Sequence, residues 1–166
     1  MHDLVAVVGP GTAADDLLTL AEEVGAGLAR RGVGVVCGGL AGVMEAACRG
    51  AKRHAGLTVG LLPGSDREAA NGFVDVALPT GFGEGRNILV VRAAVAVIAV
   101  GGEYGTLSEL AFALKLGRPV VGLRTWALHK DGRRREAFPT VERADEAVER
   151  ALGALAHRPA AQGRGD

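Results

Sequence analysis

Three glycine-rich turns hold the residues of this chain whose types and spacing best suit chemistry. They read GPGT at Gly9 to Thr12, GGLAGVME at Gly38 to Glu45 and GGEYGTLSE at Gly101 to Glu109. Each follows an apolar segment and leads into a helical pattern, so glycine lets backbone N–H groups approach a ligand closely. Each helix start adds unpaired donors and a partial positive charge, which favours phosphate. Thr106 could add a hydroxyl to such a site.

For any single turn a structural explanation remains open, because glycine is common where a strand turns tightly into a helix. Three such turns together favour a binding site, since neighbouring parallel strands bring their carboxyl ends to one edge of a sheet. The chain lacks Gly-x-x-x-x-Gly-Lys-Ser/Thr, and VVGPGTAADD does not supply Gly-x-Gly-x-x-Gly. The sequence therefore predicts a phosphate site of neither the P-loop nor the dinucleotide-binding type.

The elements that must position these turns alternate between short apolar strands and helical patterns. The segment from Val97 to Leu123 predicts a buried strand, a tight turn, a helix and a second strand, which form a parallel right-handed unit. The segments LVAVVGPG, VGVVCGG and LTVGLLPG predict three more strands, and VDVALPT predicts an edge strand. We expect Thr12 to cap a first helix that runs to about Arg31, and Thr140 to introduce an amphipathic C-terminal helix.

This alternation predicts an α/β fold, a doubly wound parallel sheet of the Rossmann-like type in a single domain. The length of 166 residues suits one domain, which we place at 1–157, with a flexible tail at 158–166.

The composition excludes several classes of partner. The 19 basic residues are balanced by 19 acidic ones, which argues against nucleic acid and an anionic membrane surface as partners. No segment approaches eighteen consecutive apolar residues, and the sequence predicts a cytoplasmic protein. Cys37 and Cys48 are not spaced as metal ligands, so we expect buried thiols and no metal site. GRRRE at Gly132 to Glu136, in a basic loop at 124–136, is either solvated or guides an anion.

Three motifs in order carry a family resemblance: GGLAGVMEAA, GEGRN and GGEYGTLSE. Over roughly Val5 to Leu123 the chain resembles the LONELY GUY and "lysine decarboxylase-like" family, most closely its molybdenum-cofactor carrier branch. The resemblance implies a Rossmann-like fold, a homodimer or homotetramer, and a small phosphorylated ligand. A carrier would bind an AMP-like nucleotide or the molybdenum cofactor. A LONELY GUY-type enzyme would instead be a nucleoside 5′-monophosphate phosphoribohydrolase, which cleaves the N-glycosidic bond.

The family's enzymes carry Pro-Gly-Gly-x-Gly-Thr-x-x-Glu and an upstream Arg-Lys pair. Gly102, Gly105, Thr106 and Glu109 match the signature, and Arg86 matches the arginine of the pair.

Three positions depart from the pattern. Gly101 stands in place of the proline, Glu103 in place of the second glycine, and Asn87 in place of the lysine. Asn87 removes a cation and Glu103 adds an anion near the expected phosphate. We therefore expect a binding protein for a phosphorylated nucleotide-like ligand, with hydrolysis as the alternative.

The resemblance makes Arg86 and Glu109 the candidate catalytic residues. Cleavage of an N-glycosidic bond develops positive charge on the sugar, which a carboxylate can stabilise while it orients water. An arginine can hold phosphate or ribose oxygens in a fixed fork. Alternatively, Glu109 is a first-turn carboxylate favoured by the helix dipole, and Arg86 is a solvated charge or a partner of Glu84 or Glu109.

The candidate ligand-binding residues lie in or beside the glycine turns and the GEGRN motif. They are Gly9, Gly11, Thr12, Gly38, Gly39, Gly42, Met44, Arg86, Asn87, Gly101, Gly102, Gly105 and Thr106. Glu45 is expected only to stabilise its helix. The four histidines are expected at the surface, and they are His2, His54, His129 and His157. NILVVRAAVAVIAV and LSELAFALKL offer apolar surface that predicts helix packing across a twofold axis.

Overall fold

Strands and helices alternate along residues 2–156, which are the residues that the computed structural model describes. The strands are β1 (Leu4–Val8), β2 (Gly34–Cys37), β3 (Thr58–Leu62), β4 (Val76–Pro79), β5 (Ala96–Val100), β6 (Val120–Leu123), β7 (Leu128–Lys130), β8 (Arg133–Arg135) and β9 (Thr140–Val141). The α-helices are α1 (Asp15–Ala29), α2 (Val43–Lys52), α3 (Asn87–Ala93), α4 (Tyr104–Lys115) and α5 (Ala144–Ala156). The predicted tail at 158–166 and His157 lie outside the described residues.

Seven parallel strands form the main sheet in the order β4-β3-β2-β1-β5-β6-β9. The chain builds outward from β1 to β4, then returns to place β5 on the other side of β1, where Val5 pairs with Ala96. This reversal is a topological switch point, the place where open α/β sheets bind ligands beyond the carboxyl ends of their strands. The predicted doubly wound α/β fold is confirmed, and VDVALPT forms the edge strand β4.

The central strands lack polar alternation because helices cover both faces of the sheet. Val7 and Ile98 pack into one core with α1, α2 and α5. Val8 and Val97 pack into the opposite core with α3 and α4. Cys37 and Cys48 are buried in the first core with their Sγ atoms 3.6 Å apart, so the predicted buried thiols are confirmed.

Helices α1 and α2 pack backbone against backbone through two glycines. A Cβ atom added at Gly25 would lie 1.9 Å from the carbonyl oxygen of Ala47. One added at Gly50 would lie 1.9 Å from the carbonyl oxygen of Glu22. We call these four residues the helix crossing. The loop before α1 meets the N-terminus of α2 separately, where Val43 N donates to the carbonyl oxygen of Pro10 at 3.1 Å.

Two predicted helix starts are wrong. The residue before α1 is Ala14, which makes no side-chain capping bond, and Thr12 is exposed in the preceding loop. Thr140 belongs to β9, whose pairing with β6 extends the sheet, and α5 begins four residues later at Ala144. In both cases extended backbone continues past the threonine, so its hydroxyl is not at a helix terminus.

The basic loop forms a short antiparallel hairpin in which Leu128 pairs with Arg135. Trp126 ties this hairpin to the N-terminus of α4, because its Nε1 donates to the carbonyl oxygen of Glu103 at 3.3 Å. His2, His54 and His129 are exposed, as expected. Across residues 2–156, none of the helices combines the length and apolar character needed to cross a membrane.

Candidate functional site

The glycine turns meet in one cleft of about 340 Å³ beyond the carboxyl ends of the central strands. Gly9 and Gly11 follow β1, Gly38 follows β2, and Gly105 lies in the first turn of α4. The volume falls within the range of small-molecule sites, roughly 300–1,000 Å³. The cleft therefore occupies the switch point between β1 and β5.

Glycine is required at two positions that shape this cleft. A Cβ atom at Gly9 would lie 2.4 Å from the carbonyl oxygen of Val100, so β1 and β5 could not meet as they do. Gly42 has φ of +68° and lies against the carbonyl oxygen of Pro10, which a Cβ would approach to 2.4 Å. Through these two contacts the turn at Gly9 to Thr12 packs against the end of β5 and the start of α2.

Arg86 is the cation of the cleft wall and is only 8% exposed. It ends a short 3₁₀ turn, Gly83–Arg86, that leads directly into α3. Its Nη1 donates to Asn87 Oδ1 at 2.8 Å and lies 3.7 Å from Glu109 Oε1. The guanidinium lies against Gly38, where a Cβ would come within 2.5 Å of Nη2. Its Nε finds no hydrogen-bond partner among residues 2–156.

Asn87 uses its amide to join α3 to α4. Its Nδ2 donates to Ser108 Oγ at 2.8 Å, and Ser108 Oγ donates to the carbonyl oxygen of Gly105 at 2.7 Å. Asn87 also accepts from Arg86, so the side chain is engaged at both ends. The position at which the resemblance expects a lysine therefore holds a buried structural amide.

Glu109 lies opposite Arg86 and is 5% exposed. Burial raises the pKa of its carboxyl group to about 7, although the nearby Arg86 guanidinium opposes part of that rise. Both protonation states are therefore populated near neutral pH. The Arg86–Glu109 pairing that the sequence left open is present, and in this state Glu109 can either donate or accept a proton.

The N-terminus of α4 forms part of the cleft lining. Glu103 precedes the helix, and its side chain makes no capping bond to the first-turn N–H groups. Thr106 lines the cleft and is 2% exposed, and its Oγ1 has no hydrogen-bond partner within the described chain. Unpaired backbone donors and the helix dipole favour an anion at this position.

The charges of the lining are predominantly negative. Three carboxylates, on Glu84, Glu103 and Glu109, share the wall with the single arginine, Arg86. Within residues 2–156, neither Glu84 nor Glu103 forms an ion pair, in contrast to Glu109.

Most of the residues expected to bind ligand line the cleft. Those that do are Gly9, Gly11, Gly38, Met44, Arg86, Asn87, Gly105 and Thr106, together with Glu109. Those that do not are Thr12, Gly39, Gly42, Gly101 and Gly102.

The four glycines outside the wall serve the turns instead. Gly42 begins α2 against the first turn, and Gly102 lies under the Trp126 ring, which a Cβ would approach to 2.6 Å. Gly39 and Gly101 have positive φ and turn the chain after β2 and β5. Thr12 is exposed beyond the rim.

Pro63 and Leu40 also line the cleft but were not among the predicted site residues, and Glu84 was predicted only as a partner for Arg86. A sequence signal did exist for Pro63, because it directly follows β3, which pairs with β2 in the sheet. Neither Leu40 nor Glu84 carries a pattern that distinguishes it from an ordinary loop residue.

Solved structures similar to this chain include molybdenum cofactor proteins. The molybdenum cofactor binding protein from the phototrophic bacterium Rippkaea orientalis has a TM-score of 0.84 at 31% identity, over 93% of this chain and 98% of that one. The Moco carrier protein from Chlamydomonas reinhardtii has a TM-score of 0.83 at 31% identity, over 95% and 100% of the two chains. These matches confirm the resemblance to the carrier branch.

Sequence comparison gives the same assignment. A protein from Archaeoglobus fulgidus, itself uncharacterized, is 41% identical over 120 residues, which span 72% of this chain and 79% of that protein. The model of the SLOG cluster4 family matches residues 2–151. This chain therefore belongs to the SLOG cluster4 family.

Proposed function

We propose that this protein binds a phosphorylated nucleotide-like ligand in the cleft and acts as a carrier, with the molybdenum cofactor as one candidate cargo. The observation that carries the proposal is the meeting of Arg86 with the N-terminus of α4 in a cleft at the sheet's switch point. A fixed cation and unpaired backbone N–H groups on one wall suit a phosphate group. The similarity to molybdenum cofactor carriers supports the same class of ligand.

Binding without turnover is favoured by the surroundings of Asn87. A hydrolase of the LONELY GUY pattern would have a second cation here, whereas this amide is held between Arg86 and Ser108. Losing a charge-assisted contact to the transition state costs about 3 kcal/mol, on the order of a hundredfold in rate. We therefore expect little or no release of base from a nucleoside 5′-monophosphate.

Calorimetry with AMP and adenosine tests the phosphate site. AMP should bind about tenfold or more tightly than adenosine, and Arg86→Ala should remove most of that difference. Arg92→Ala is the matched control, because Arg92 is exposed on α3 outside the cleft. Equal affinity for AMP and adenosine in a folded protein would contradict the proposal.

The hydrolase is retained as a second candidate because Glu109 is buried beside Arg86 with a pKa near neutrality. Release of adenine from AMP, followed by chromatography, decides between the two functions. We expect slow or undetectable release, an increase in Asn87→Lys, and loss of that increase when Glu109→Ala is added. Rapid release by the wild-type protein would overturn the carrier proposal.

We also propose that the protein is a homodimer or a homotetramer. Phe82, just before α3, is 68% exposed, Tyr104 at the start of α4 is 79% exposed, and Leu89 and Phe112 on these two helices are only half-buried. Such apolar surface is commonly covered by a second subunit. Light scattering at micromolar concentration should give a multiple of 16.9 kDa, and a monomeric mass would overturn this proposal.

A further inference from the structure

Glu84 and Glu103 are the cleft residues that phosphate binding does not explain. Both line the same wall as Arg86, and within residues 2–156 neither carboxylate has an ionic partner. Glu103 does not use its side chain to cap α4. Two carboxylates beside an anion site weaken phosphate binding by repulsion. Their presence is accounted for when they make a favourable contact with another part of the ligand.

Buried polar atoms of the cleft lining give independent evidence for a polar ligand. Arg86 Nε and Thr106 Oγ1 are buried without hydrogen-bond partners in the described chain, and both residues are more than nine-tenths buried. An unpaired buried donor or acceptor is costly, so such atoms mark places that a bound molecule satisfies. Glu84 and Glu103 are themselves exposed and lie at the edge of the cleft that holds these buried atoms.

The backbone of Glu103 is well fixed. Its carbonyl oxygen accepts from Leu107 N at 3.0 Å, as part of α4, and from Trp126 Nε1 at 3.3 Å. Glu84 lies two residues before Arg86 on the 3₁₀ turn that leads into α3. Glu84 and Glu103 thus border the cleft from two separate elements of the chain.

An ionised carboxylate only accepts hydrogen bonds, and its two oxygens suit a pair of parallel donors. Guanine presents such a pair, a ring N1–H next to its 2-amino group. Adenine presents an acceptor at N1 next to its amino group, so one oxygen would meet a lone pair.

We propose that Glu84 and Glu103 select a heterocycle that presents two adjacent N–H donors, as guanine does. This inference rests on the proposed function, because the heterocycle is attached to the phosphate group held by Arg86 and the N-terminus of α4. By repulsion, the carboxylates weaken the binding of every phosphorylated ligand equally. Only a ligand whose heterocycle presents two adjacent N–H donors regains affinity through hydrogen bonds to them. Glu84 and Glu103 are therefore specificity-determining residues of the cleft.

Calorimetry with GMP, IMP, AMP and guanosine tests the selection. The wild-type protein should bind GMP about tenfold more tightly than AMP, with IMP between them because it has the ring N–H and lacks the amino group. In the double variant Glu84→Gln/Glu103→Gln the GMP-to-AMP ratio should fall to within about twofold, while the affinity for AMP is unchanged or higher. Each single variant then shows which carboxylate contributes more.

Glu68→Gln is the matched control, because Glu68 is an exposed carboxylate on a 3₁₀ turn outside the cleft. It should leave all four affinities unchanged, and circular dichroism should show that every variant is folded. An equal rise in affinity for GMP, IMP and AMP in the double variant would mean that the carboxylates only repel phosphate. That result, or a wild-type ratio near one, overturns the selection.

The proposed function fails in a different way. Equal affinity for guanosine and GMP would contradict the phosphate site. The selection of the heterocycle would still be supported if adenosine bound more weakly than guanosine. A strong preference for phosphorylated ligands without any preference among their bases would contradict the selection of the heterocycle and would leave the proposed phosphate site supported. A wild-type protein that binds none of these compounds overturns both.

Discussion

The helix crossing and the rim of the cleft both depend on glycine, but they use it for opposite purposes. At the crossing, Gly25 and Gly50 let α1 and α2 approach until backbone touches backbone, which adds close packing to the core. At the rim, Gly38 leaves room for the guanidinium of Arg86, a group with an unpaired Nε. The first region stabilises the fold, whereas the second holds polar groups that stability alone does not require.

The charged groups of the two regions differ in the same way. Glu22, a member of the crossing, is partly exposed; its carboxylate accepts a hydrogen bond from Arg49 Nε at 2.8 Å and also pairs with Arg53. Glu109, at the rim, is buried, and within residues 2–156 its one ionic partner is Arg86, whose Nη1 lies 3.7 Å from Glu109 Oε1. Buried groups that lack full pairing are typical of functional sites.

The largest effect on stability is expected at the crossing. Gly25→Ala places a Cβ within 1.9 Å of a backbone carbonyl, so the helices must separate. We expect a loss of more than about 3 kcal/mol in the free energy of unfolding, measured by urea denaturation. Gly153→Ala is the control, because its Cβ meets nothing within 4 Å and alanine favours the helix α5. A folded Gly25→Ala variant of wild-type stability would show that the helix contact is loose.

The next effect comes from the rim and depends on pH. The pKa of Glu109 is about 7 in the folded protein against 4.5 for a free side chain, so the folded state holds a proton that the unfolded state releases. The associated stabilisation is complete below pH 4.5 and is lost as pH rises through 7. Relative to Glu109→Gln, the wild-type protein should therefore lose about 3 kcal/mol between these limits.

Urea denaturation at a series of pH values measures this difference, with Glu68→Gln as a control for removal of an exposed carboxylate. A constant difference between the wild-type protein and Glu109→Gln from pH 4.5 to pH 8 would show that the buried carboxyl titrates normally.

A smaller effect on stability and a selective effect on binding are expected at Gly38. In Gly38→Ala the added Cβ would push against the end of the Arg86 side chain. A side-chain end yields more readily than backbone, so the free energy of unfolding should change by less than about 1 kcal/mol. The displaced guanidinium should weaken AMP binding about tenfold. Gly64→Ala, in an open turn after β3, should alter neither quantity. Unchanged AMP affinity in Gly38→Ala would separate Arg86 from the phosphate site.

The smallest effect is expected at Gly11, which lines the cleft but has nothing within 4 Å of its Cβ position. Gly11→Ala should change the free energy of unfolding by no more than about 0.5 kcal/mol. Its effect on AMP affinity, measured by calorimetry, reports whether the ligand approaches the first turn closely. A large loss of stability would show that the turn after β1 is packed more tightly than the structure indicates.

The alternating pattern by itself determined the fold class, because apolar runs such as AVIAV and helical spacing are local properties. The family resemblance selected Arg86 and Glu109, and the third glycine turn selected Thr106, and all three line one cleft in the folded chain. The helix starts at Thr12 and Thr140 were wrong, because a threonine before a helical pattern also suits a loop or a strand end. Local preference does not distinguish these cases.

Only the tertiary structure decided how the site is arranged. The sequence order does not reveal that β5 returns to lie beside β1, and this pairing brings the Arg86 and Glu109 side chains together. Nor does it reveal that Asn87 is held by Ser108, that Gly38 supports the guanidinium, or that burial raises the pKa of Glu109. These features depend on contacts between distant segments, and desolvation and geometry at such contacts are set by the packed fold and not by local residue types.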